Sequence, residues 1–325
     1  MNSLITRVAL TVLLALAAGI GFAADSYPQR PLRFIIPFPP GGANDIVARL
    51  LGPRLTERLG QQVVVDNRPG ASGAIALELT ARAQPDGYTF LVGNNTSSAI
   101  VPVLYAKRMQ VVPAKEITGI SLLAAIPHAI IASSKFQPNT FPELIAYIKA
   151  RPGQLNYAAP LGGHPHLDML ALIAATGIRM VHLPSKGAGQ TIPMLLGGES
   201  HVSNSNVASV IGLIRAGQLK AYAITAESRI PELPGVPTFA EVGLKGVGSI
   251  NWVGLFAPAK TPQPIIKQLH AAIFDILSQP ELKETYAKRL VPLAVSASPA
   301  EFNAFVAAET RRWVKVVKDN NVSLD

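Results

Sequence analysis

Residues 31–45 read PLRFIIPFPPGGAND, and the interpretation of the whole chain starts from this stretch. Prolines flank the short apolar run LRFII, which is typical of a strand that is buried on both faces. The pair Gly41 and Gly42 lets the backbone turn sharply and come close to a bound group. Asn44 and Asp45 are suited to begin a helix, whose free N–H groups and dipole attract anions. No Gly-Lys-Ser/Thr follows, as a phosphate loop requires, so we expect a carboxylate at this corner.

The composition describes a globular protein. Of its 325 residues, 49% are hydrophobic and only 15% are charged, and such a length is enough for two lobes that each bury a core. Lys and Arg exceed Asp and Glu by 29 to 20, but the basic residues are scattered and not interleaved with aromatic ones. This pattern argues against nucleic acid as a partner.

The N-terminus has the features of a secretory signal peptide. Arg7 precedes an almost wholly apolar run over residues 8–22, which is shorter than the roughly 20 residues of a membrane span. Small residues follow, so we predict a signal peptide over residues 1–23 that is cleaved near Ala23. The chain has no cysteine, which excludes both a disulfide framework and a cysteine-linked lipid anchor. The mature protein is therefore expected in the periplasm.

A strand that ends in a small polar loop and leads into a helix occurs three times in the first hundred residues. The first loop holds Gly41 and Gly42, the second contains Ala71, Ser72 and Gly73, and the third begins at Asn94. This order predicts a doubly wound α/β sheet, in which such loops open on one edge. Ligands of such sheets bind beyond the carboxyl ends of the strands.

Two apolar segments are expected to cross between two lobes. The first spans residues 120–133 and is interrupted by Pro127, and the second is NWVGLFA over residues 251–257. We therefore predict a two-lobe α/β fold with lobe 1 at 24–126 and 252–325 and lobe 2 at 127–251. Two crossing segments make a hinged cleft, which is a usual place for a small ligand. Asn204, Ser205 and Asn206 interrupt what should be a buried strand end in lobe 2, and a polar ligand would give them partners.

A metal site is the main alternative in this sequence. His164, His166 and Asp168 have the alternate spacing of some zinc hydrolases, and catalytic zinc needs about three protein ligands with one open position. The other histidines do not cluster in sequence, so we expect His164 to face the cleft and donate to an anion instead. Ser72 does not lie in a nucleophile elbow, and no nucleotide or other cofactor motif is present. We therefore predict neither an enzyme nor a cofactor.

Several motifs together resemble the Bug-type solute receptors of tripartite tricarboxylate transporters. They are Pro-Phe-x-Pro-Gly-Gly-x-x-Asp over residues 37–45, Asn-Arg-Pro-Gly-Ala-x-Gly over 67–73, Pro-Asp-Gly-Tyr-Thr over 85–89 and Gly-Leu-Phe-Ala-Pro-Ala over 254–259. The similarity extends over essentially the whole mature chain. It implies a type II periplasmic-binding-protein (Venus flytrap) fold and a monomer that closes on a small carboxylate and passes it to membrane permease subunits.

The resemblance also implies a set of binding residues. In such receptors backbone groups and ordered waters at the first two loops hold the carboxylate, and lobe 2 supplies further contacts. Carried over by position, and together with the strand-end residues above, the set is Phe38, Pro39, Gly41, Gly42, Asp45, Ala71, Ser72, Gly73, Asn94, Leu161, Gly162, Gly163, His164, Ser185, Asn204 and Ser205.

Three positions depart from the family pattern. Ser185 stands where a tyrosine is common, Ser205 where an aspartate is common, and His164 where a small hydroxyl residue is usual. Without the aspartate an amine-bearing ligand is held less well, and with His164 added the residues favour a purely anionic ligand. Two other functions stay open at this point: a metal-dependent hydrolase, and a ligand sensor for a signalling partner.

Overall fold

The structure, a computed structural model, describes residues 27–288, 291–319 and 322. The predicted signal peptide lies outside these ranges. In the described ranges the strands are β1 (Leu32–Ile36), β2 (Val63–Asn67), β3 (Thr89–Asn94), β4 (Ile117–Ile126), β5 (His128–Ser133), β6 (Asn156–Ala159), β7 (Val181–Pro184), β8 (Ser203–Asn206), β9 (Leu219–Ile224) and β10 (Asn251–Pro258).

The α-helices of the same ranges surround these strands. They are α1 (Ala43–Leu59), α2 (Ala74–Ala81), α3 (Val101–Leu104), α4 (Pro113–Glu116), α5 (Phe141–Lys149), α6 (His164–Thr176), α7 (Ala188–Gly197), α8 (Val207–Arg215), α9 (Gln263–Ser278), α10 (Pro280–Lys288) and α11 (Pro299–Asp319). Among the described helices, none is both long enough and apolar enough to cross a membrane.

Lobe 1 is built on a five-stranded sheet with the order β2-β1-β3-β10-β4. β1 is parallel to β2 and to β3, whereas β10 is antiparallel to both β3 and β4. Phe34 and Ile36 of β1 are fully buried, as the apolar run predicted, because α1 and α9 cover one face of the sheet. Since the three parallel strands point the same way, their carboxyl ends and the loops that follow them meet at one edge.

Lobe 2 contains two small sheets. β5 lies between β8 and β9 and is antiparallel to both, and β6 forms a parallel pair with β7. Their core includes Tyr157, Met169 and Tyr222. The chain passes from the first sheet to lobe 2 at Pro127, between β4 and β5, and returns to the first sheet at the start of β10.

The C-terminal helix α11 packs against lobe 1. Phe302 and Trp313 of this helix are almost fully buried and share a core cluster with Trp252 and Phe256 of β10. Trp252 also donates to Glu309 of the same helix (Nε1 to Oε2, 3.1 Å). The end of the chain therefore fixes β10, the strand by which the chain returns from lobe 2.

Candidate functional site

The first corner, residues 37–42, is held in shape by a buried carboxylate. Asp45 in the first turn of α1 accepts hydrogen bonds from the Gly41 N–H (3.0 Å), from Asn67 Nδ2 (3.1 Å) and from Arg49 Nε (2.9 Å). Gly41 has a φ of +83°, which a glycine adopts without strain. The Gly41 N–H and the Asp45 carboxylate are thus hydrogen-bonded to each other. They fix the shape of the corner and do not line the cleft beside it.

The second corner, residues 70–73, has unusual backbone angles. Ala71 and Ser72 both have positive φ, +45° and +53°, which costs free energy for residues other than glycine and is found most often at functional sites. Gly73 has a φ of +102°, and a Cβ there would lie 2.8 Å from Cβ of Ser97. Only glycine therefore fits at this position, and the turn leads directly into α2.

The two lobes are in contact across the cleft. The Ser72 hydroxyl donates to the Leu161 carbonyl oxygen (2.6 Å), and the His164 N–H donates to Thr96 Oγ1 (2.9 Å). On α7, a Cβ on Gly189 would lie 2.8 Å from the Pro40 carbonyl oxygen. The structure therefore shows the closed arrangement, in which both corners of lobe 1 contact the facing elements of lobe 2.

Two compartments lie between the lobes, with Phe38 and Pro160 lining both. The outer compartment lies between the two corners and encloses about 470 Å³, part of it open to solvent. The inner compartment extends toward the crossing segments and encloses about 520 Å³, measured in the same way.

The structure distributes the predicted residues over three places. Those that line the outer compartment are Phe38, Ala71, Ser72, Gly73, Leu161 and Ser185. Those that line the inner compartment are Phe38 again, Gly42, Asn94, Asn204 and Ser205. Those that line neither compartment are Pro39, Gly41, Asp45, Gly162, Gly163 and His164.

His164 does not face the cleft as we expected. Its side chain is 0% exposed, and its Nε2 lies 3.2 Å from Asp168 Oδ2 and is hydrogen-bonded to the Ser249 hydroxyl. The ring also packs edge-on against Trp313 of lobe 1, with centroids 5.5 Å apart. Burial lowers the pKa of His164 well below its usual range. The ring is therefore a neutral part of the contact between the lobes, and the argument from it for a purely anionic ligand does not hold.

The three residues of the alternative metal site, His164, His166 and Asp168, do not come together. The His166 ring stacks on His182 with centroids 4.1 Å apart, and its Nδ1 accepts the Gly162 N–H (3.0 Å). Burial lowers the pKa of His166 to about 4. This histidine thus packs within lobe 2, and the set named from sequence does not form a metal site.

His128, and not His166, lies beside His164 and Asp168. One possible ligand atom each from His128, His164 and Asp168 lies within 4.8 Å of the others, so this set could hold a small cation. Asp168 is, however, already bonded by Asn204 Nδ2 (3.1 Å) and the Ser249 N–H (3.4 Å). Neither His164 nor Asp168 lines a compartment, whereas a catalytic zinc needs an open position that the substrate reaches.

Sequence reasoning missed several residues of the inner compartment. They are Asn44, Thr96, His128, Thr191 and Asn251, whereas Asn206, which the strand-end pattern had indicated, also lines this compartment. A signal for some of them was present: Thr96 follows the third strand, and His128 and Asn251 lie in the two crossing segments. Residues at the crossings border the cleft in any two-lobe fold of this kind, so both could have been predicted as candidate contacts.

Two α/β lobes joined by crossing strands, with a polar cleft between them, define a periplasmic solute-binding protein of type II. Residues 47–322 match the model of the tripartite tricarboxylate transporter family receptor, TctC, and the chain belongs to this family. Both the resemblance and the fold expected from the sequence are therefore confirmed.

Known relatives match nearly the whole chain. BugT of Bordetella pertussis is 34% identical over 303 residues, which are 93% of this chain and 93% of BugT. Among solved structures, R. palustris Rpa4515 with adipate is 30% identical with a TM-score of 0.87, covering 91% of this chain and 99% of that one. MatC from Rhodopseudomonas palustris with bound malate is 30% identical with a TM-score of 0.83, covering 90% of this chain and 100% of that one.

Proposed function

We propose that this protein is an extracytoplasmic receptor that captures a small organic carboxylate in the cleft and delivers it to the membrane permease of a tripartite tricarboxylate-type transporter. The observation that carries the proposal is the pair of corners at one sheet edge, each closed against lobe 2. Two solved relatives hold carboxylates, adipate and malate, and this is the support for the same ligand class here.

In this proposal the ligand carboxylate lies in the outer compartment. The second corner precedes α2, whose N-terminal end attracts an anion. Lys186 is the only charged side chain among the described residues that line the two compartments, and it lies in the outer one. Backbone N–H groups, ordered water and this one exposed lysine together would hold the negative end of the ligand.

The rest of the proposal follows from the sequence. The mature chain begins after a signal peptide cleaved near Ala23 and acts in the periplasm as a monomer. Its lobes are residues 24–126 with 252–325, and residues 127–251. Binding is coupled to rotation of one lobe against the other about the two crossing segments, and no chemical step is involved.

Thermal unfolding with a panel of mono- and dicarboxylates tests the proposal. A ligand that binds only the folded protein, at about 100 times its dissociation constant, stabilises it by about 2.7 kcal/mol, which is several degrees in the midpoint. Isothermal titration calorimetry then gives the stoichiometry, and one site per chain is expected. If no carboxylate raises the midpoint, and the purified protein carries stoichiometric zinc instead, the hydrolase is favoured over the receptor.

Transport itself needs a separate measurement. Deletion of the gene from its host should abolish uptake of the ligand that calorimetry identifies, and the intact chain should restore it. A Gly189→Ala chain, in which closure is blocked, should not restore it. Uptake that continues at the wild-type rate without the receptor would contradict the assignment to a permease.

A further inference from the structure

The two compartments differ in the chemistry of their walls. Lys186 is near the outer compartment, whereas the described residues that line the inner one carry no charged group. Asparagine, serine and threonine side chains and one histidine supply its polar surface. A ligand group in the inner compartment thus meets hydrogen-bonding atoms and no compensating charge.

Two asparagines of the inner compartment have an amide oxygen without a partner among the described residues. Asn204 donates through Nδ2 to Asp168 Oδ2 (3.1 Å), and Asn251 donates through Nδ2 to Asn206 Oδ1 (3.0 Å). The Oδ1 atoms of Asn204 and Asn251 are both buried and unpaired. Buried polar atoms almost always have a partner, and an amide oxygen only accepts. The missing partners are therefore hydrogen-bond donors.

His128 is a third residue of the inner compartment with unpaired polar atoms. The residue is 1% exposed, and neither ring nitrogen has a hydrogen bond of good geometry within the described part of the chain. Burial lowers the pKa of His128 to about 3, although the nearby Asn206 side chain favours the protonated ring. A neutral imidazole has one donor and one acceptor nitrogen. A hydroxyl group has one donor hydrogen and also accepts, so it can donate to one of the two amide oxygens and accept from this ring.

The starts of α1 and α7 also border the inner compartment. Gly42 and Ala43 at the start of α1 line the inner compartment, but the Asp45 carboxylate is already at this end and holds the Gly41 N–H. At the start of α7, the Gln190 side chain accepts the Lys186 N–H (2.8 Å). One N–H just before each helix is thus already bonded to a side chain of that helix.

We infer that the inner compartment binds a hydroxyl group at the end of the ligand opposite its carboxylate. The inference rests on the proposed function, because it places the carboxylate in the outer compartment. A second carboxylate would meet two amide oxygens and no cation, and its loss of hydration would not be offset. An ammonium group would meet the two oxygens but no carboxylate in the compartment wall. An uncharged hydroxyl satisfies one of the oxygens at the lowest desolvation cost, and ordered water can donate to the other.

Calorimetry with matched ligand sets tests the inference on the intact mature protein. Within one set all ligands have the same number of carbons. The sets range from about three to about seven carbons, which the compartments accommodate. Each set contains the ω-hydroxy acid, the α,ω-dicarboxylate, the ω-amino acid and the unsubstituted acid. At the best length we expect the ω-hydroxy acid to bind about tenfold tighter than each of the other three, since each leaves a buried polar group unpaired or a charge without a partner.

A pair of variants relates the preference to the proposed residues. Asn251→Leu should bring the hydroxy acid to within about threefold of the unsubstituted acid. Asn139→Leu is the matched control, because this exposed asparagine bonds only outside the cleft, to Lys220 (3.0 Å), and it should retain the full preference. If Asn251→Leu does not fold, the ranking of ligands by the wild-type protein decides alone.

The outcomes separate the two proposals. A hydroxy acid that binds no tighter than its counterparts at any length overturns the inference, and binding of the dicarboxylate would still support a carboxylate receptor. Binding of none of the acids overturns the proposed function and the inference together.

Discussion

The Ser72 hydroxyl donates a 2.6 Å hydrogen bond to the Leu161 carbonyl oxygen and so connects the second corner of lobe 1 to lobe 2. Because the two groups belong to different lobes, this bond exists only in the closed arrangement. Ser72→Ala should lower ligand affinity about fivefold, which is the loss of one hydrogen bond of roughly 1 kcal/mol. Calorimetry measures it, with Ser134→Ala at an exposed serine of lobe 2 as the control. An affinity equal to that of the wild type would show that this bond does not stabilise closure.

A substitution at Gly189 tests whether closure depends on the close fit between α7 and the first corner. A Cβ at this position would lie 2.8 Å from the Pro40 carbonyl oxygen across the cleft, whereas nothing within lobe 2 is close to it. We expect Gly189→Ala to weaken ligand binding about tenfold or more while the unliganded protein unfolds at a similar temperature. Gly212→Ala on α8 is the matched control, because a Cβ there meets nothing within 4 Å. Equal affinity of both variants would contradict the closed arrangement described here.

Asp45 should stabilise the fold of the first corner. It is 4% exposed and holds three donors, so Asp45→Ala leaves the Gly41 N–H without this acceptor and Asn67 Nδ2 with the Phe38 carbonyl oxygen alone. We expect a decrease of about 1–3 kcal/mol in the free energy of unfolding, measured by urea titration, together with weaker ligand binding. Glu57→Ala at an exposed position of the same helix should change stability by less than about 0.5 kcal/mol. An Asp45→Ala protein as stable as the wild type would show that Asp45 does not stabilise the first corner.

Asp168 makes stability depend on pH in the opposite sense to the buried histidines. Burial raises the pKa of Asp168 to about 7, so between its usual value and this one the folded state binds more protons, and stability falls as pH rises. Burial lowers the pKa of His128 and His164, so they favour folding above their usual value and lose this contribution as pH falls. Asp168→Asn removes only the first effect.

In this variant stability should therefore increase more steeply between about pH 4 and about pH 7 than in the wild type. Thermal unfolding across this range measures the slope, and Glu199→Gln, at an exposed position, should reproduce the wild-type curve. Parallel curves for Asp168→Asn and the wild type would mean that this carboxyl has an ordinary pKa.

The first lobe was predictable because its pattern is local. A buried strand such as LRFII, followed by glycines and a helix start, limits both the element type and the edge of the sheet where its loop opens. The side chain of His164 was not predictable in this way. Its direction depends on Trp313, about 150 residues further along the chain, and on Ser249 near the second crossing. Likewise, His166 follows His164 by two residues, and this spacing suggested that the two bind one ion. In α6, however, the two rings point in different directions and contact different neighbours.

The position of Pro127 gives the cleft an order of events. One residue separates β4 from β5, so the pivot lies next to His128, and Asn251 at the return crossing is beside it. If the lobes rotate about this pivot, atoms close to it travel less than Ser72 and Leu161, which line the outer compartment. A ligand that enters the open cleft would therefore first contact the inner compartment, which is already nearly formed, with the end opposite its carboxylate. The carboxylate would be bound last, when the lobes close.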